Sequence, residues 1–324
     1  MSARIAVVVP TFQRRALVTR AVAALAAQRP AGIASQLEVV VVCDGSTDGT
    51  AQALRASAPS NLALRVIEQA NAGQAAARNA GAAATSAPGL LFLDDDMIAA
   101  ADLVAVHLEA AAANPSAARS GSIAVDPGSP RSFVTEGLRR WGERRDARLA
   151  GAPELPWDEA LTGHLYVPRE AFEAAGGFEA SFTASGGFGG EDLEFGWRLA
   201  RSGVPLAFEP RAVTYQVYAK TFRELARDIR RAAAGDVRLA ARHPEAAVRL
   251  LLGSPGTLPP WERRALALSR RHPALAGVLF APLLAVLDAA SRAGRCGNRW
   301  EHAHAVARAH LYGLGLVDAA KATR

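Results

Sequence analysis

The sequence predicts an α/β fold, a mostly parallel sheet flanked by helices, followed by an all-helical C-terminal extension. Three observations carry that expectation. Short β-branched runs alternate with Ala-rich runs through the first half of the chain, three of the β-branched runs end in polar or acidic residues, and only helix-length patterns follow Lys220. The expected division is residues 1–219 and residues 220–324.

In chain order, "RIAVVVP" (4–10), "LEVVVVC" (37–43), "LALRVIE" (62–68) and "LLFL" (90–93) read as strands buried on both faces. Between them "RRALVTRAVAALAAQ" (14–28), "GTAQALRAS" (49–57) and "GQAAARNAGAAAT" (73–85) have the length and propensity of helices. After "SGSIAV" (120–125) a Pro/Gly/Arg-rich excursion runs to about residue 160 and contains the helix-like "TEGLRRWGERRDARL" (135–149). The pattern resumes with "HLYVPREAFEAAGGF" (164–178), and a Gly-rich loop then enters a helix that stops at Gly203. "PLAFEP" and "AVTYQV" are two further strand-like pieces. In "EDLEFGWRLA" the spacing of Leu193, Trp197 and Ala200 predicts the inward face of that helix.

Composition bounds the setting. At 324 residues and 50% hydrophobic content the chain can bury a substantial core. Cys43 and Cys296 are the only cysteines, far apart and in no metal-ligand spacing, which argues against a disulfide framework or a zinc site and for a reducing cytosol. The short apolar run of the N-terminus ends at Pro10 and reads as a first strand rather than a signal segment. Residues 1–219 carry 19 Arg/Lys against 23 Asp/Glu, net −4, whereas residues 220–324 carry 18 against 8, net +10. Basic helices suit a solvated face, an anionic membrane surface or nucleic acid, but no nucleic-acid signature accompanies them. The apolar stretch "ALAGVLFAPLLAVLDAA" (274–290), interrupted by Pro282 and Asp288 and flanked by arginines, reads as a core or homodimer helix or as a membrane-interface helix, and is short for a span.

In parallel α/β sheets ligands bind beyond the carboxyl ends of the strands. There the chain places Pro10-Thr11, Asp44-Gly45 and the run Asp94-Asp95-Asp96. Three adjacent carboxylates repel by on the order of 1 to 4 kcal/mol per pair at surface-like dielectric, so something must compensate them. A divalent cation does so, and so does a solvated acidic turn before the next helix; strand alternation would send Asp94 and Asp96 to one side and Asp95, the residue expected to tolerate substitution best, to the other. Asp44 precedes a turn sequence, Arg78 and Asn79 sit on a small-residue helix, and Glu191 and Asp192 open a helix whose dipole favours their ionised forms.

Six segments in this order, "VVVPTFQR" (7–14), "CDGSTDGT" (43–50), "NAGQAAARNAG" (71–81), "LFLDDD" (91–96), "LTGHLYVPREAFEAAGGF" (161–178) and "GGEDLEFGWRL" (189–199), resemble glycosyltransferase family 2 enzymes of the Rossmann-like GT-A fold. The resemblance covers roughly residues 4–217. It implies an inverting transfer from a nucleoside-diphosphate sugar, a UDP-sugar by family habit, to an acceptor hydroxyl of a glycan, lipid-linked or small molecule, assisted by Mg²⁺ or Mn²⁺. It also implies roles. Thr11 and Asp44 would contact the nucleobase, Arg78 the base or diphosphate, and Asp94 the ribose; Asp96 would ligate the metal; Asp192 would be the general base with Glu191 orienting it or the acceptor; and Gly190, Trp197 and His164 would shape the sugar or acceptor pocket. Similar enzymes often carry Asn where this chain has His164, and a metal-binding His near Gln216. Those departures keep open a nucleotide-sugar-binding protein without turnover. A nucleotidyltransferase would need a glycine-rich phosphate loop that "PTFQRR" lacks, and no G-x-G-x-x-G marks a dehydrogenase. The expected location is cytoplasmic, with the C-terminal helices offering a peripheral membrane contact.

Overall fold

A computed structural model of the chain describes residues 4–30 and 32–322. They form two compact units: residues 1–128, 142–186 and 191–217 make the first, and residues 129–141, 187–190 and 218–324 the second. Two short segments expected in the N-terminal part thus group with the helices.

The first unit is built on an eight-stranded sheet ordered β3-β2-β1-β4-β7-β6-β8-β5. Its strands are β1 (Ile5–Thr11), β2 (Leu37–Asp44), β3 (Ala63–Gln69), β4 (Gly89–Leu93), β5 (Met97–Ala99), β6 (Ala118–Val125), β7 (His164–Pro168) and β8 (Leu206–Gln216). The helices are α1 (Arg15–Ala26), α2 (Thr50–Ala56), α3 (Gln74–Ala83), α4 (Leu103–Ala113), α5 (Phe133–Leu149), α6 (Arg169–Ala174) and α7 (Glu191–Arg201). Valines 7–9 and 39–42 are fully buried, as near-continuous β-branched runs require of central strands covered on both faces. On one face Val7, Val9, Val39 and Val41 pack with Val18, Val22 and Leu25 of α1 and Leu103 and Val104 of α4. On the other, Val40 and Val42 meet Ala77 of α3. Beside them Phe92 packs with Phe172 and Phe178, and Phe178 in turn meets Phe195 of α7 in a tilted contact with ring centroids 4.4 Å apart.

Two expectations shift. β3 pairs only with β2, so it is an edge strand with alternating exposure rather than a strand buried on both faces. "PLAFEP" and "AVTYQV" are one continuous β8. The sheet is mixed, with four parallel pairings and three antiparallel ones, at β4/β7, β6/β7 and β5/β8. β5 was not anticipated, because three residues carry no period.

That small strand shapes the sheet. In a flat sheet β4 and β5 would lie four strand spacings apart, ~19 Å, but only Asp94–Asp96 separate Leu93 from Met97, a reach of at most ~14 Å. The sheet therefore curls, helped by a register shift between Gly121 and Ser122 where β6 meets β8. The curl brings Gln216, at the end of β8 and opposite Met97, to the triple aspartate.

The second unit holds α8 (Phe222–Arg242), α9 (Pro260–Arg271), α10 (Pro273–Arg292) and α11 (Asn298–Ala322), together with the first residues of α5. A capping box starts α8: Thr221 accepts from the Glu224 amide while the Glu224 carboxylate accepts from the Thr221 amide. Phe133, Phe222, Leu287, Ala307 and Leu311 form one core, and Ala233, Leu266, Tyr312 and Leu316 a second. Gly315 lets α11 cross α8 closely, since a Cβ there would stand 2.1 Å from the Arg230 carbonyl oxygen.

Candidate active site

The carboxyl end of β4 and the first turn of α7 converge on one residue, Arg78. α3 can sit against β1 and β2 because its inward residues are small, and this lets it carry an arginine that is 1% exposed. The Arg78 guanidinium donates to Asp94 Oδ1 at 2.7 Å and to Glu191 Oε1 at 3.2 Å, and lies over the Phe178 ring at 5.5 Å. Two acidic motifs almost a hundred residues apart are thus tied by one cation. Gln74, a turn earlier on α3, adds a 2.7 Å bond to Asp94 Oδ1.

The triple aspartate is a turn rather than extended chain, so strand alternation does not apply to it. Asp95 is the most buried of the three. It accepts from Thr11 Oγ1 at 2.8 Å and from Arg14 at 2.9 Å and is 5% exposed, so the residue expected to tolerate substitution best has two side-chain partners of its own. Arg14 also reaches Asp96 Oδ2 at 3.5 Å. Asp96 is different: its Oδ1 is buried and finds no hydrogen-bond donor among the described residues. Burial, then the neighbouring Asp94 and Asp95 charges, push its pKa up to about 7, with Arg14 and the Gln216 side chain pulling the other way.

At the start of α7, Glu191 Oε2 is likewise buried without a donor. Asp192 has its pKa raised to about 7 by burial and by Glu191, which outweigh the backbone hydrogen bond from Leu193 and the charge of Arg78. The helix-dipole expectation of a readily ionised Asp192 is therefore overturned by desolvation, the larger effect. The inward face of α7 is also not the expected one. Phe195 and Leu199 are fully buried, Glu194 is locked by Arg198, and Leu193, Trp197 and Ala200 are partly exposed.

The remaining predicted residues lie elsewhere. Asp44 closes a structural loop, accepting from Gln69 at 2.7 Å and from the Ala72 and Gly73 amides at 2.9 Å each. Gly73 needs its glycine, at φ +92° with a Cβ position 2.3 Å from the Thr183 carbonyl oxygen. His164 is fully buried in the sheet. Its Nε2 is 3.0 Å from His107 Nε2, its Nδ1 faces the Ser122 carbonyl and Thr214, and burial lowers its pKa to about 3. It is a neutral core imidazole with no open wall to present. Trp197 meets Trp157 edge-on, and Gly190 groups with the helical unit.

Arg14 and Gln74 were missed by sequence reasoning. The signal for Arg14 was available, a basic pair directly after a strand end beside a crowd of acids. Gln13 before it adopts φ +56°, uncommon for a non-glycine residue, and is held there by bonds to Ser46 and Thr47. Gln13, Arg14, Arg15 and Asp48 line an open cleft of about 360 Å³ beside the aspartates.

Among the described residues no three His, Cys, Asp or Glu side chains form a metal cluster. The donor set nevertheless fits a hard cation that also binds phosphate. Asp96 has an unsatisfied buried oxygen, two further carboxylates adjoin it, and the residual positive charge on that side comes from Arg14.

Residues 6–157 match the family described as Glycosyl transferase family 2, and residues 149–220 match one described as N-terminal domain of galactosyltransferase. Validoxylamine A glucosyltransferases from two subspecies of Streptomyces hygroscopicus, jinggangensis and limoneus, are each 36% identical over 228 residues, 62% of this chain. The chain spans about half the length of these relatives, 52% and 49%. Among solved structures, the Pyrobaculum calidifontis mannosyltransferase PcManGT, in complex with GDP-Man and Mn²⁺, aligns over 98% of this chain and 88% of its own with a TM-score of 0.63 and 21% identity. S. aureus TarS 1–349 in complex with UDP-GlcNAc aligns over 90% and 89% with a TM-score of 0.55 and 16% identity. The fold is shared at these identities.

Proposed function

We propose that this protein, whose residues 6–157 match the family described as Glycosyl transferase family 2, transfers a sugar from a nucleoside-diphosphate sugar, a UDP-sugar first among them, to an acceptor hydroxyl with inversion at the anomeric carbon. The observation that carries the reading is the contrast inside one acidic cluster. Asp94 is held by Arg78 and Gln74, whereas Asp96 and Glu191 keep bare buried oxygens and Asp192 sits near pKa 7.

The chemistry follows from that arrangement. Asp192, able to exist in both protonation states near neutral pH, takes the proton from the attacking acceptor hydroxyl. Arg78 fixes Glu191 and Asp94 across from one another, so base and donor sugar are set by the same cation. Asp94, the most exposed of the three aspartates at 28% of its side chain, takes the ribose or sugar hydroxyls. Arg14 and the Gln13–Leu17 cleft attract the diphosphate. A divalent cation at Asp96, Mg²⁺ or Mn²⁺, would offset the charge that develops on the departing nucleoside diphosphate. PcManGT with GDP-Man and Mn²⁺, TarS with UDP-GlcNAc and the glucosyltransferases of S. hygroscopicus support this substrate class.

The test is a thermal-shift screen of UDP, GDP, dTDP and their sugars with and without Mn²⁺, followed by nucleoside-diphosphate release from any binder. Bound ligand raises the melting temperature by mass action. Failure of all donors to bind or to be hydrolysed would sink the reading. Gln216 beside Asp96, in place of a stronger ligand, favours one alternative, donor binding without turnover. Stabilisation without release of nucleoside diphosphate in the presence of acceptors would select it.

A further inference from the structure

α10 has two faces of opposite character. Ala276, Leu287 and Ala290 are buried, and Leu283 and Leu284 pack against the core around Phe222, so one side of the helix belongs to the helical unit. On the other side Leu275, Val278, Leu279 and Val286 are 52%, 73%, 56% and 54% exposed. With Pro282 and Ala289, also exposed, they recur at helical spacing and form an unbroken apolar stripe about 20 Å long. No charged side chain occurs from Pro273 to Leu287. By length and composition alone α10 is long and apolar enough to cross a membrane. Its packed half argues against crossing: Asp288 is buried and paired with Arg292 at 2.6 Å, and a span would strip Leu287 and Ala290 from their core.

Both ends of the stripe are basic. Arg270 and Arg271 precede it and Arg292, Arg295 and Arg299 follow it, all exposed. Residues 259–299 contain seven arginines and two acids, and both acids, Glu262 and Asp288, are buried. This charge pattern chooses the occupant. A second copy of the chain laid on α10, parallel or antiparallel, would set arginines against arginines at both ends. A bilayer surface with anionic headgroups accepts the apolar stripe at the acyl boundary and meets both basic ends with phosphate.

We propose that the exposed face of α10 docks the protein on the surface of an anionic membrane, the helix lying in the interfacial plane. This inference stands apart from the sugar-transfer reading, since none of its residues belongs to the acidic site.

The experiment is flotation of the full chain with vesicles of phosphatidylcholine alone and of phosphatidylcholine with 30% phosphatidylglycerol, together with light scattering of the lipid-free protein. The wild type is expected to float with the anionic vesicles at least ten times more strongly than with neutral ones, and to lose that advantage as salt is raised. The variant V278S/L279S/V286S changes only exposed positions and is expected to float at least tenfold less. R270E/R271E/R295E is expected to lose at least fivefold for each arginine. Melting temperatures unchanged from wild type confirm that both variants fold. No flotation with anionic vesicles, or variants that float like the wild type, would overturn the proposal. So would a wild-type dimer that V278S/L279S/V286S converts to monomer, because the face would then belong to a second copy.

Discussion

Two strand ends of the same sheet carry aspartates and treat them oppositely. At the end of β2, Asp44 meets three protein donors and serves the loop from Gln69 to Gly73. At the end of β4, Asp96 keeps an oxygen that no described donor reaches, and across the site Asp192 is pushed up to about 7. The lesson is that a carboxylate's availability is read from its unmet hydrogen-bonding capacity rather than from its place at a strand end. A satisfied one holds the fold, and an unsatisfied one awaits something.

The sharpest way to break the comparison is Asp192→Asn. Turnover should fall roughly 10²- to 10⁴-fold with donor binding retained; unchanged turnover in a quantified transfer assay would remove Asp192 as the base. The same residue gives a pH test. Its pKa is raised from 3.8 to about 7, so between about pH 4 and pH 7 the native state keeps a proton the unfolded chain has released. Its stabilising contribution is full below that window and is lost as pH rises through 7, while kcat/KM should climb with pH over the same range. The melting temperature of the wild type relative to Asp192→Asn should therefore decline from pH 5 to pH 8, and a flat difference would contradict the burial of the carboxyl.

Asp44→Ala should act on stability. Loss of three bonds to a charged acceptor is expected to cost about 3 kcal/mol, seen as a lower urea midpoint. A larger effect on nucleotide affinity than on the midpoint would instead make Asp44 a ligand contact. Gln216→His supplies an imidazole beside Asp96 and should tighten Mn²⁺ about tenfold, measured by titration calorimetry; no change would mean that Gln216 stands outside the cation's reach. The smallest effect is expected of Asp95→Asn, about 1 kcal/mol, because the amide oxygen can keep the Arg14 donor while the amide NH2 donates to Thr11 Oγ1, reversing the bond that Thr11 now donates. Its sign is what matters: a detectable loss separates Asp95 from a freely solvated turn.

Much of this was legible in the chain. The β-branched runs gave β1, β2 and β4, since central strands must be apolar on both faces, and the ordered motifs gave the acidic site. Strand direction was not legible, because the same five residues His164–Pro168 would run either way until their neighbours are known. Nor was the sign of the Asp192 shift. The helix start is local and visible, whereas the desolvation that overrides it comes from residues far away in sequence. His164 shows the same limit. Its polar type suggested a pocket, but its partners His107, Ser122 and Thr214 come from α4, β6 and β8, and together they make it part of the core.

The three residues between β4 and β5 are also a ruler. Because they bridge a gap that a flat sheet would make too wide, their number, and not only their charge, sets where β8 arrives and hence where Gln216 stands relative to Asp96. One alanine inserted after Asp95 would leave every carboxylate in the chain and relax the rim that holds them together. Length is thus as much a part of this site's chemistry as acidity, and changes that respect composition but alter spacing should be the least forgiven there.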